Sequence, residues 1–263
     1  MAETPCLQNG TESLSVEIET ALGSVTFDLL DKAAPNSTNT VRNLICFGQP
    51  DRPANGKVVD SGFYTGQTFD YTRPNFEVRV SAAADSDLTI DKELDAVALG
   101  LDEQTIDSAG AAMDTFQFEL QKAFARDKRP GANTDQLVEW VDTFRRTGNA
   151  EFLIGKSRTE INQALGFEYQ KGLASEPVAR GSVLLQPASK TKSSPRLVFT
   201  LSENPNYTGR WVVVGRVSNG LDLLNRLSRA PSSGRMHPRW QPEEPVVITG
   251  VSIRSRKAQE RSP

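Results

Sequence analysis

Leu22-Gly23-Ser24-Val25-Thr26-Phe27-Asp28-Leu29-Leu30-Asp31-Lys32-Ala33-Ala34-Pro35 sets a strand, a turn closed by proline and the start of a helix in one short run. Val25, Phe27 and Leu29 alternate with Thr26 and Asp28, the period-two pattern of a half-buried strand. Upstream, Val16 and Ile18 alternate in the same way with Glu17 and Glu19, and residues 21–24 are short enough to be the connecting turn, so the two segments read as a hairpin. Downstream of Pro35, the side chains of Asn36 and Ser37 are expected to cap a helix whose inward positions are Val41, Leu44 and Ile45.

Working outward, residues 48–62 form a loop rich in Pro, Gly, Asp and Asn, and residues 63–80 read as extended chain punctuated by Gly66 and by Arg73-Pro74-Asn75. Strands resume late. Residues 181–185, 197–201, 211–217 and 246–253 are short, rich in branched side chains and bounded by turn formers, with a short Leu221, Leu224, Leu227 helix before the last. Many short strands with few helices predict a mainly β fold, a closed antiparallel barrel.

Between the two strand sets the pattern changes to a helical period. Met113, Phe116, Leu120 and Phe124 share one helical face, as do Leu137, Trp140, Val141 and Phe144, and Pro130-Gly131 separates the two helices. Ser157-Arg158-Thr159-Glu160 is a capping-box pattern ahead of Ile161 and Leu165. The expected organisation is therefore an N-terminal tail (1–14), a first barrel part (15–84), a helical insertion (85–166), a second barrel part (167–253) and a flexible tail (254–263).

The chain has 263 residues and a net charge of -3, so it has no broad cationic field for phosphate backbones, and nucleic acid is not an expected partner. No apolar run approaches the roughly 20 residues of a membrane span. The start Met1-Ala2-Glu3-Thr4-Pro5 fits a cytosolic protein or a secreted one whose signal was replaced by Met; a periplasmic or secreted location is favoured over a cytoplasmic one. Cys6 and Cys46 are the two cysteines; a bridge between them would suit an oxidising compartment, and two free thiols are the other reading.

Four blocks, taken together and in order, resemble the cyclophilins. They are residues 16–44 with Leu22-Gly23 and Ala34-Pro35; Gly62-Phe63-Tyr64-Thr65-Gly66-Gln67-Thr68-Phe69 through Pro74-Asn75-Phe76; residues 181–185, 197–201 and 209–217; and Glu244-Pro245-Val246-Val247-Ile248 to Ile253. The resemblance implies a closed eight-stranded barrel capped by helices, with peptide bound in a groove on its outer face. It also implies peptidyl-prolyl cis-trans isomerisation. The uncatalysed barrier of about 18 to 20 kcal/mol comes from amide resonance, and the family weakens that resonance with an arginine beside the prolyl amide and an aromatic pocket around the ring. No cofactor is implied, because the reaction exchanges no atoms.

Several of those positions hold other residues here. The family's His-Arg pair is Asp70-Tyr71, and a phenol offers one neutral donor where a guanidinium offers a charged fork. Phe76 matches the pocket phenylalanine. The family's glutamines fall on Arg79 and Arg196, a second pocket aromatic falls on Val198, and its Trp-Leu and later His fall on Asn206-Tyr207 and Trp211. The candidate catalytic residues are thus Tyr71 and Arg73, and the candidate substrate-binding residues are Phe76, Arg79, Arg196, Val198, Asn206, Tyr207 and Trp211. Arg73, two residues past Tyr71 on the same strand face, could restore a cation beside the prolyl site. The other reading makes these arginines ordinary surface charges. If Arg73, Arg79 and Arg196 converge, the groove would favour an acidic peptide or a C-terminal carboxylate.

The expected function is binding of proline-containing polypeptide with weakened isomerase activity, and the rival is a scaffold or assembly factor whose helical insertion holds a protein partner. No metal site is expected from the single His237. Asp85, Asp87, Asp91 and Glu93 lack the glycine and closing glutamate of a calcium loop and read as a solvated loop or helix start.

Overall fold

Strands that alternate apolar and polar side chains need one covered face, and the chain supplies it by closing its strands on themselves. The computed structural model describes residues 13–48, 62–81, 87–126, 133–232 and 240–256. Its strands are β1 (Ser13–Thr20), β2 (Gly23–Leu29), β3 (Thr68–Arg73), β4 (Glu77–Val80), β5 (Ile90–Asp91), β6 (Ser182–Pro187), β7 (Lys192–Thr200), β8 (Val212–Asn219) and β9 (Val246–Arg256). Eight follow the order β4-β3-β9-β1-β2-β8-β6-β7, and β7 pairs back onto β4, closing an antiparallel barrel; β5 adds a ninth, short strand on β7.

The hairpin forms as the periodicity predicts. Val16 pairs with Phe27 and Ile18 with Val25, which turns all four side chains into a core where none is exposed. β9 runs to Arg256, beyond the point where the sequence suggests a tail, because residues 13–15 pair with 254–256. Phe27 and Phe69 both pack on Phe199, at ring centroid distances of 5.9 and 6.1 Å, near the centre of the barrel. Helices α1 (Pro35–Phe47) and α6 (Leu221–Ser228) bury Val41, Leu44, Leu224 and Leu227 in the same core. Cys46 on α1 is disulfide-bonded; Cys6 lies outside the described residues, as do Pro130, Gly131 and His237.

The expected cap of α1 is corrected. Ala34 is the N-cap and no side chain of the helix itself closes its first turn. Glu93 does so from afar: one oxygen accepts from the Asn36 amide at 3.0 Å and from Asn36 Nδ2 at 2.9 Å, and the other accepts from the Ser37 amide at 2.7 Å. A carboxylate there meets both the free N–H groups and the positive end of the helix dipole.

That contact also corrects the reading of residues 87–105. They are not helical; Asp91 is exposed as a solvated loop would have it, but Glu93 is buried, as is Asp95 beside it. Ile90, Leu94, Ala96, Leu99 and Leu101 belong to the barrel's own core. Asp95 accepts from the amides of Val97 (2.9 Å), Ala98 (3.2 Å), Gly172 (2.7 Å) and Leu173 (3.3 Å), stitching this strap to the chain that leaves the helices. Burial alone would raise its pKa, but the four amides outweigh burial and hold the carboxyl below its ordinary range.

The helical stretch has a core of its own. It comprises α2 (Ala109–Thr115), a π-helical turn over Phe116–Leu120, α3 (Gln121–Arg126), α4 (Asp135–Thr147) and α5 (Arg158–Ala164). Phe116, Leu120, Leu137, Trp140 and Val141 are buried together with Ile161 and Leu165, and Phe116 stacks on Phe144 at 4.0 Å, so both predicted helical faces meet. The Ser157–Glu160 capping box forms with both reciprocal bonds in place.

Candidate functional site

The chain turns sharply between β3 and β4, where the Phe76 amide donates to the Arg73 carbonyl at 3.1 Å. Asn75 adopts the left-handed conformation (φ 56°), and its side-chain oxygen accepts from Arg229 at 3.0 Å. Asn tolerates that conformation better than most residues because its side chain can bond locally. The turn brings Arg73 back onto Phe76, and Cζ of Arg73 lies 4.0 Å from the ring centroid. Among the described residues no hydrogen bond or ion pair engages the Arg73 guanidinium.

Across the hairpin Tyr71 pairs with Arg79. The Arg79 guanidinium lies 4.4 Å from the Tyr71 ring and 5.6 Å from the Trp211 ring, between the two aromatics. Its Nε donates to Glu77 at 2.9 Å, a second nitrogen reaches the same carboxylate oxygen, and NH1 donates to Gln186 at 3.3 Å. Glu77 is the residue that sequence reasoning missed. It is 1% exposed, and its second oxygen has no hydrogen-bond partner among the described residues. A Glu flanked by Phe76 and Val78 reads from sequence as an outward strand residue; the available signal was Arg79 two positions on, the same-face partner that lets a carboxylate be buried.

The far wall comes from the turn before β8. Tyr207 stacks on Trp211 at 4.1 Å, and its edge meets the Phe76 ring at 6.0 Å. Val198 is buried in the same cluster as Tyr207 and Trp211. Burial, reinforced by the Glu77 charge, pushes the Tyr207 phenol up to about 12. Burial likewise raises Tyr71, against the lowering pull of Arg79. Both phenols are therefore neutral donors at neutral pH.

Six of the nine candidate residues, Tyr71, Phe76, Arg79, Val198, Tyr207 and Trp211, are thus joined by ring and cluster contacts, and Arg73 touches them through Phe76. Arg196 is engaged by its own partners, with Nε donating to the Val80 carbonyl at 2.6 Å and the fork paired to Asp70. Asn206 is exposed on the turn before Tyr207. Of the three arginines, then, Arg79 pairs with Glu77 and Arg196 with Asp70, and among the described residues no acid pairs with Arg73. Among the described residues no three His, Cys, Asp or Glu side chains gather as metal ligands would, and no helix is long and apolar enough to cross a membrane.

A closed eight-stranded barrel defines a fold class, and sequence comparison supplies its family. The chain belongs to the cyclophilin-type peptidyl-prolyl cis-trans isomerases: the sequence model described as "Cyclophilin type peptidyl-prolyl cis-trans isomerase/CLD" matches residues 15–253. Two solved structures of a Cryptosporidium parvum cyclophilin-type peptidyl-prolyl cis-trans isomerase are similar at 16% identity. One covers 93% of this chain and 99% of its own, with a TM-score of 0.47. The other, determined in the presence of the dipeptide Ala-Pro, covers 92% and 99%, with a TM-score of 0.45. Comparison with curated proteins by sequence finds no match.

Proposed function

We propose that this chain binds proline-containing polypeptide in the groove bounded by Phe76, Tyr207 and Trp211, and that it isomerises the prolyl bond slowly. The observation that carries this reading is the Arg73 guanidinium lying 4.0 Å over Phe76 with no competing partner among the described residues. A proline ring seated against Phe76 would place its amide within reach of that cation. Charge-assisted donation to the prolyl nitrogen region weakens amide resonance, and it acts most strongly where water is excluded. Arg73 is exposed, so its field is screened and the rate enhancement is small compared with an arginine at the half-buried position 71.

In a protease-coupled assay on a Pro-containing peptide, Arg73→Ala is expected to lower the residual rate roughly tenfold or more, and Arg73→Lys to keep part of it. An unchanged rate in Arg73→Ala would remove Arg73 from the mechanism.

The scaffold reading is favoured by a different observation, the Arg79–Glu77 ion pair that occupies the space between Tyr71 and Trp211. A buried pair at that place leaves less room for substrate. Absence of any peptide-dependent turnover or binding in the native chain would select it.

A further inference from the structure

The turn from Tyr207 to Trp211 carries two groove walls, and it closes on itself: the amides of Arg210 and Trp211 both donate to the Tyr207 carbonyl at 2.9 Å. What holds it from outside comes from three places: the strap, the helical stretch and the chain just beyond it. Lys92 Nζ donates to the Arg210 carbonyl at 2.8 Å, and the Tyr169 hydroxyl donates to the Gly209 carbonyl at 2.9 Å. Asn162 accepts from Arg210 Nε at 2.9 Å and donates through Nδ2 to Tyr169 at 2.7 Å. Glu119 binds the Arg210 fork with one oxygen and Arg158 NH1, at 2.8 Å, with the other. Gly209 sits at φ +76°, and a Cβ there would stand 2.5 Å from a Leu101 methyl, so a side chain would strain the backbone and have to displace Leu101.

Glu119 belongs to the π-helical turn that interrupts an otherwise α-helical run. A π turn takes in an extra residue and re-aims the side chains around it, and such turns recur where a helix makes a specific contact. Here Phe116 and Leu120 remain buried in the helical core while Glu119, between them, reaches the barrel. Two independent features, a local departure from helical geometry and a carboxylate shared by two arginines, therefore converge on the turn that holds Tyr207 and Trp211.

We propose that Glu119 and Arg210 are positioning residues: the helical insertion sets the placement of the Tyr207–Trp211 wall and thereby the fit of the groove to its peptide. This rests on the prolyl-peptide reading of the groove, while the coupling of the insertion to Trp211 stands apart from it. The Glu119–Arg210 contact, a clamp on this turn, holds the backbone between the two stacked rings, so its loss is expected to displace the Tyr207–Trp211 stack.

The test uses the full chain in two arms. In the first, the Trp211 indole N–H resonance is recorded without peptide for the native chain, Glu119→Gln and Arg210→Lys, with Arg145→Ala on the exposed face of α4 as the control. In the second, a peptide containing Ala-Pro is titrated into each. The expected result is a shifted Trp211 resonance and roughly fivefold or more weaker peptide binding in both clamp variants, with neither change in Arg145→Ala. An unmoved Trp211 resonance in whichever clamp variants fold overturns the proposal. A moved resonance with native peptide affinity overturns the role in peptide fit. If the native chain binds no peptide but Trp211 still responds, the prolyl reading fails and the coupling is upheld.

Discussion

The triple variant Tyr71→Arg/Glu77→Met/Arg79→Gln is expected to isomerise a Pro-containing peptide about a hundredfold faster than the native chain, the scale on which one preorganised charged donor acts. The neighbours of Tyr71 decide which changes must go together. A guanidinium at position 71 alone would face that of Arg79, which now lies 4.4 Å from the Tyr71 ring, and like charges at that distance oppose each other. Removing Arg79 alone would strand Glu77, 1% exposed in its side chain, and a buried charge without its partner costs about 3 to 5 kcal/mol. Replacing both members of the pair by uncharged residues of similar length avoids that cost and clears the space between position 71 and Trp211. Tyr71→Arg by itself should gain far less. If the triple variant folds and binds peptide but its rate stays within a few-fold of native, the residue at position 71 is not what limits turnover.

Deleting residues 85–166 is expected to abolish cooperative folding of the barrel, whereas deleting 102–167 with a short linker should leave it folded. The longer boundary removes Ile90, Leu94, Ala96, Leu99 and Leu101 from the barrel core. Truncating even one such large side chain to Ala costs about 2 to 5 kcal/mol, against a total stability of about 5 to 15 kcal/mol. It also strips Glu93 from the start of α1 and Asp95 from the Gly172 and Leu173 amides. The shorter deletion keeps that strap and removes the separate helical core. Its ends are close, because Leu101 packs against Gly209 and Tyr169 bonds the Gly209 carbonyl. Circular dichroism melts of the two forms decide the matter: a sharp transition in the 85–166 deletion would mean that the strap is dispensable.

What could be read in advance was whatever carries a period. The β1–β2 hairpin, the late strands, α6 and both helical faces are repeating patterns, and the Ser157–Glu160 cap is a fixed spacing. The strap was hidden because Lys92, Glu93 and Asp95 are charged, and charge in a short aperiodic segment normally means solvent. Their partners lie far away in sequence, at Arg210, at Asn36 and Ser37, and at Gly172 and Leu173. For Lys92 the environment is costly: burial, then the charges of Arg210 and Lys190, push its amine down to about 8. In the groove the aromatic positions could be placed by the resemblance to the family, but the pairing of each arginine could not. Arg196 turned to Asp70 and Arg79 to Glu77, and only three-dimensional register reveals which charge is left over.

The most direct measurement is nuclear Overhauser contact between the proline ring of an Ala-Pro-containing peptide and the ring protons of Phe76 in the native chain. Such contacts are expected, with the proline protons shifted upfield by the surrounding aromatic rings. Saturating peptide that leaves Phe76, Tyr207 and Trp211 untouched, or that binds only at the helical insertion, would contradict that expectation.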